Sequence, residues 1–300
     1  MDLAPCPRGY RSRWYRFRGR VVCYTGQLNA TNSIPRLRVC AVSYLNTVPL
    51  VWGMLHGEQK GLFDLRFRVP AECADMVGSG AADMGIIPSF ELLGRDYGIV
   101  PGVGIACCGA VRSILLVSSR PAHQIRTLAA DASSRTSVAL ARIVLARRYG
   151  VEPAVATRPP DLPGMLGEAD SALIIGDPAL HINPATTPLH VYDLGREWTD
   201  MTGLPMVFAV WAGPREFVTP QVVAAFQDSC ACGLRSLERI VAQEAAARGF
   251  APELVRRYLA SHIVFELGEP ERQGMELFLR YARQLDPLRR HPGLTPASAL

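Results

Sequence analysis

From Leu37 onward, short apolar runs alternate with segments of helical period, and this constrains the fold more than any other feature of the chain. The alternation predicts strands near 37–43, 65–69 and 82–87, with helices near 49–57 and 71–79 between them. Residues 98–118 then hold two extended runs. The second, Ile114 to Val117, is apolar enough for the middle of the first sheet. The chain is expected to cross to a second lobe over 119–127. There it would form strands near 127–130, 154–156 and 172–175, a helix with Leu140, Ile143 and Val144 on its buried face, and a short helix near 162–168. The uncharged run Met206 to Trp211 brings it back, and only helical patterns follow, near 219–248, 252–260 and 270–285.

An α/β chain that leaves one sheet, builds another and returns has the layout of the two-lobed, type II periplasmic-binding-protein-like fold. The second lobe is inserted into the first and the ligand cleft lies between them. The expected divisions are 1–36 as an Arg-rich disordered leader, 37–122 plus 208–300 as lobe 1, and 123–207 as lobe 2.

Charge limits the function classes. The net charge of +5 sits in the leader, where seven arginines face only Asp2, so the remainder is close to neutral. A nucleic-acid groove would spread its cations over a folded face, and none is expected here. The leader has no apolar segment long enough for a secretory signal or a membrane span. Eight cysteines show no C-x-x-C and no zinc-finger spacing, so no metal site is expected. Reduced thiols and a cytoplasmic location follow from the same reading. Oligomeric state leaves no signal.

Polar side chains gather where apolar runs end. Ser43, Tyr44 and Asn46 follow the first strand, Ser89 follows the third, and Ser133, Ser134, Arg135, Thr136 and Ser137 crowd a helix mouth. Such a mouth attracts anions through unpaired backbone N–H groups and the helix dipole. Gly176 and Asp177 repeat the pattern after the run 172–175. Ser43 and Ser89 fit a helix cap as well as a ligand contact. The hydroxyls at 133–137 exceed what one cap requires, which favours ligand contact.

Six stretches, in order, resemble one enzyme family. They are 41–50 (Ala-Val-Ser-Tyr-Leu-Asn-Thr-Val-Pro-Leu), 80–89, 109–113 (Gly-Ala-Val-Arg-Ser), 131–138 (Asp-Ala-Ser-Ser-Arg-Thr-Ser-Val), 172–180 (Ala-Leu-Ile-Ile-Gly-Asp-Pro-Ala-Leu) and 192–198, the last followed by Thr202 to Pro205 and by Trp211. Over about residues 37–212 the chain is similar to the chorismate dehydratases of the futalosine route to menaquinone. Ala110 stands where many relatives have proline.

The resemblance implies loss of water from chorismate, giving 3-[(1-carboxyvinyl)oxy]benzoate without a cofactor. A dianion of this size requires several hydrogen-bond donors, and the hydroxyls and amide above supply them. Arg112 and Arg135 are candidate carboxylate clamps, with solvent-facing roles as the alternative. No histidine lies in the six stretches. The substrate's own enolpyruvyl carboxylate is therefore the favoured base, with Asn46 and Ser113 as catalytic residues that orient it and bond the departing hydroxyl. Asp177 is the alternative base, or a carboxylate capping its own turn. Two other functions remain open: a 1,4-dihydroxy-6-naphthoate synthase-like enzyme, and a small-anion-binding protein on the same fold.

Overall fold

The computed structural model of the protein describes residues 13–17, 20–24, 36–131 and 133–285. The chain divides into two units, Met1–Pro35 and the part that begins at Arg36. In the first, β1 (Arg13–Phe17) and β2 (Arg20–Tyr24) pair as an antiparallel hairpin. Trp14, Tyr15 and Phe17 in the first strand and Val21, Val22 and Tyr24 in the second are residue types enriched in strands. The expectation of a disordered leader is corrected for these two strands, and the rest of it lies outside the described residues.

The second unit contains two sheets. Six strands in the order β13-β6-β12-β5-β3-β4 form one: β3 (Arg38–Val42), β4 (Asp64–Arg68), β5 (Met84–Pro88), β6 (Gly98–Cys107), β12 (Met206–Gly213) and β13 (Val264–Glu266). The other runs β11-β7-β10-β8-β9, from β7 (Ile114–Ser118), β8 (Thr127–Asp131), β9 (Ala154–Arg158), β10 (Ser171–Ile175) and β11 (His190–Asp193). Strands β3, β4 and β5 pair in parallel, as do β8, β9 and β10, and the crossover helices cover the faces. Strands β5 and β12, without a polar side chain, and β10, apolar after Ser171, are buried along their whole length.

Two expectations change. Strand β7 lies in the second sheet, antiparallel to β10 and β11, so the chain changes sheets between Cys107 and Ile114 rather than after residue 122. A run that is apolar on both faces suits the middle of either sheet, and only pairing with β10 decides between them. The C-terminal part is also not purely helical, because β13 pairs with the edge of β6.

The helices that matter for the site start at strand ends. They are α1 (Val48–His56), α2 (Pro70–Gly78), α3 (Arg135–Tyr149), α4 (Leu162–Glu168), α5 (Gly176–Leu180) and α6 (Leu194–Thr202). Proline in the first turn of α1 and α2 suits a position with no backbone partner to lose. The remaining helices are α7 (Pro220–Arg235), α8 (Leu237–Arg248), α9 (Pro252–Arg257) and α10 (Glu269–Leu285), with a single π turn at Tyr258–His262 directly after α9. Among the described residues no helix is long and apolar enough to cross a membrane.

Candidate active site

Beyond β3 the backbone tightens into a 3₁₀ turn, Leu45–Thr47, before α1 begins. The turn faces the start of α5. Asp177 Oδ1 accepts from the Leu45 N–H at 2.9 Å, and its Oδ2 pairs with the Arg248 guanidinium from α8. Gly176 has φ +64° and donates its N–H to the Ser113 carbonyl at 2.8 Å. A Cβ there would stand 2.6 Å from the Tyr44 ring, so glycine meets both the backbone and the contact requirement. The Tyr44 hydroxyl reaches Ser133 Oγ at 3.3 Å, and Ser133 in turn donates to Asp131 Oδ1 at 2.6 Å. Burial pushes the Tyr44 phenol above its ordinary value, with the bond to Ser133 opposing. Burial likewise raises the Asp131 carboxyl, whose Oδ2 has no partner.

Residues 109–113 carry the chain from β6 to β7, and they are tightly held. The Asp193 carboxylate accepts from the N–H groups of Val111 at 2.9 Å and Arg112 at 2.6 Å while also capping α6 through Gly195 and Arg196. Arg112 has φ +68°, a left-handed conformation that a side chain adopts at a cost of roughly 1–2 kcal/mol. Its guanidinium bonds the carbonyls of Ala179, Leu180 and Ile182 at the end of α5. Arg135 pairs with Glu91 and Asp75 at 2.9 and 2.8 Å. Both arginines spend donors on the protein itself, Arg112 on backbone carbonyls and Arg135 on acidic side chains.

At the mouth of α3, Ser134 is the N-cap. Its Oγ accepts the Ser137 N–H at 3.2 Å and lies 2.8 Å from the Ser137 hydroxyl. Thr136 accepts the Phe90 N–H at 3.1 Å and faces Ser89 at 3.5 Å, while Ser89 donates to the Val207 carbonyl at 2.7 Å. All four hydroxyls are buried. In this arrangement they bond one another and join the two sheets' loops, so capping accounts for more of the cluster than expected.

Asn46 and Ser113 meet at a residue that sequence reasoning missed. Tyr258, fully buried in the π turn, donates its hydroxyl to Ser113 Oγ at 2.8 Å, and the Asn46 side chain acts on the same phenol. Burial raises its phenol far above the ordinary range. Arg248 and Asp193 were likewise missed as partners. Asp131 and Ser133 lay inside a conspicuous cluster, whereas nothing local marks Tyr258 or Arg248.

The predicted residues thus fall into two joined groups. Tyr44, Asn46, Ser113, Gly176 and Asp177 form one, and Ser89, Ser134, Arg135, Thr136 and Ser137 form the other, linked through Ser133. A cavity of about 310 Å³ opens beside the second group, lined by Asp131, Ser134 and Arg135 with Phe90, Arg142 and Thr157. Ser43 stands apart, exposed on a cavity of about 220 Å³ beside Trp52, Glu244 and Arg248. Among the described residues no group of three histidine, cysteine or acidic side chains is placed to hold a metal ion.

Comparison with known proteins gives the same architecture. A structure from Archaeoglobus fulgidus aligns with a TM-score of 0.68 at 17% identity, covering 86% of this chain and 100% of that one. The alkanesulfonate-binding protein of Xanthomonas axonopodis pv. citri, bound to MOPS, aligns at 0.63 and 16% identity, covering 87% and 95%. At such identities these likenesses show the fold alone, which is periplasmic-binding-protein-like. In sequence, the chain is 30% identical over 234 residues to the chorismate dehydratase of Thermus thermophilus, covering 72% of this chain and 85% of that protein. Residues 37–284 match the menaquinone biosynthesis family model along almost the whole second unit, and the chain belongs to that family.

Proposed function

We propose that this protein is a chorismate dehydratase, a carbon–oxygen lyase of the cytoplasm that converts chorismate to 3-[(1-carboxyvinyl)oxy]benzoate and water. One observation carries the reading: in a chain 30% identical to a chorismate dehydratase, Asn46 of the turn after β3 and Ser113 of the segment that crosses to the second sheet both bear on the Tyr258 hydroxyl. Uncharged donors suit a dianion that must be gripped without neutralising a carboxylate that has work to do.

The chemistry follows from what the substrate offers. The ring carbon bearing the enolpyruvyl ether gives up its proton, the neighbouring carbon–oxygen bond breaks, and the ring becomes aromatic. The enolpyruvyl carboxylate takes the proton intramolecularly, a route in which the protein has only to fix geometry. Asn46 orients that arm. Ser113 hydrogen-bonds the departing hydroxyl, which takes up the proton that the carboxylate removed and leaves as water. Asp177 is poorly suited to the role of base, since the Leu45 N–H and Arg248 occupy its two oxygens.

Incubation of the purified chain with chorismate, followed by chromatography of the aromatic ether, tests the proposal. One equivalent of product per chorismate consumed is expected. Tight binding of chorismate without turnover would overturn the enzyme reading and leave a small-anion-binding protein.

A further inference from the structure

The hydrogen accounting around Tyr258 goes one step further. A phenol has a single proton, and that of Tyr258 goes to Ser113 Oγ at 2.8 Å. Burial raises the same phenol, and the Asn46 side chain acts against it by lowering it. Ser113, with a lone pair already filled, keeps its own proton to give. Among the described residues no protein acceptor for that proton accompanies the Tyr258 bond.

The setting of Tyr258 is also unusual. It opens a π turn, an insertion found mostly as single turns at functional sites. At the far end of the same turn, His262 Nδ1 lies 3.0 Å from the Ala110 carbonyl. The turn therefore grips the 110–113 segment at both ends, through Ala110 and Ser113. Between them sits Arg112 in its left-handed conformation, and strain of this kind persists where the surroundings over-determine it.

We propose that Tyr258 is a positioning residue for the dehydration: by donating to Ser113 it aims the Ser113 proton at the hydroxyl that leaves. The proposal rests on the chorismate dehydratase reading. Tyr258 itself touches no reacting atom. Without its hydroxyl, Ser113 remains in place but is free to rotate, so binding survives better than turnover.

The experiment is a kinetic cycle in the full chain with Tyr258→Phe, Ser113→Ala and the double variant, with Tyr258→Met as a second way to remove the hydroxyl. For both Tyr258 variants kcat is expected to fall about 10- to 100-fold with KM changed by less than about 3-fold. The double variant is expected to be no slower than Ser113→Ala, because Tyr258 acts through Ser113. Loss of packing alone would instead lower the melting temperature and give losses that multiply. Multiplying losses, or Tyr258→Phe at wild-type kcat, would overturn this proposal while leaving the dehydratase reading intact. A wild-type chain that leaves chorismate unchanged would overturn both.

Discussion

Individual residues divide the site into groups that do chemistry and groups that hold them. Asn46→Ala is expected to lower kcat on chorismate by at least about 100-fold with the far-UV spectrum unchanged, since it removes an orienting amide rather than a packed side chain. Asp177→Asn is expected to keep most of its turnover, because Asp177 anchors Leu45 and Arg248 instead of carrying a proton. A loss as large as that of Asn46→Ala would reinstate it as the base. Asp131 offers a pH test. Its carboxyl is raised by burial, so the folded state holds the proton more tightly than the unfolded chain, and stability falls as pH rises through its folded value. Above that value the folded state carries a buried charge that Asp131→Asn removes. The melting temperature of Asp131→Asn relative to wild type is therefore expected to be highest near pH 8 and to decline towards pH 4, with a flat difference counting against the assignment. Sequence reasoning singled out Asn46 and Gly176 because each follows an apolar run, and Ser113 through the family resemblance of the stretch 109–113. It missed Tyr258, whose bond to Ser113 spans 145 residues.

Among the elements, α3 shows how a legible motif acquires a different role in context. The run from Ser133 to Ser137 was readable as an anion-binding mouth, and its local geometry is that of a capped helix whose hydroxyls bond one another. Ser134→Ala removes the cap and is expected to cost about 1 kcal/mol in denaturant unfolding. Alanine at this position without loss of stability would mean that the cap is redundant. The crossing segment 109–113 is the opposite case. Its glycine and serine were visible, but the Asp193 carboxylate that binds two of its N–H groups comes from 82 and 81 residues away, and a single sequence carries no record of that partner. Strand β7 was misplaced for the same reason, since apolar character specifies burial and leaves open which sheet does the burying.

For the whole molecule, closure is written in bonds between loops of the two sheets. Arg248 from α8 reaches Asp177 at the start of α5 and also the Ser43 carbonyl at 3.1 Å, while Tyr44 reaches Ser133 and Thr136 receives Phe90. Arg248→Ala leaves Asp177 and Glu244 without their cation and is expected to lower stability by roughly 1.5–3 kcal/mol. Asp177 also holds the turn that carries Asn46, through the Leu45 N–H, so loosening it is expected to raise KM more than it lowers kcat. An unchanged KM in that variant would show that the tie has no part in substrate binding.

By itself the sequence determined what short-range physics controls. This covers the order of strands and helices from Leu37 to Ile175, the helix starts at Pro49, Pro70 and Ser134, the left-handed glycine at 176, and the collection of small polar groups at strand ends. Those depend on neighbours three or four positions away, through backbone conformation and the period of burial. Tertiary structure alone decided which sheet took β7, which carbonyls and carboxylates Arg112 and Arg135 bind, and that a tyrosine from the C-terminal part meets Ser113. Each of these is a contact between residues tens to hundreds of positions apart. A hydrogen bond of that kind leaves no periodic trace in the chain, because its geometry exists only after both sheets have formed.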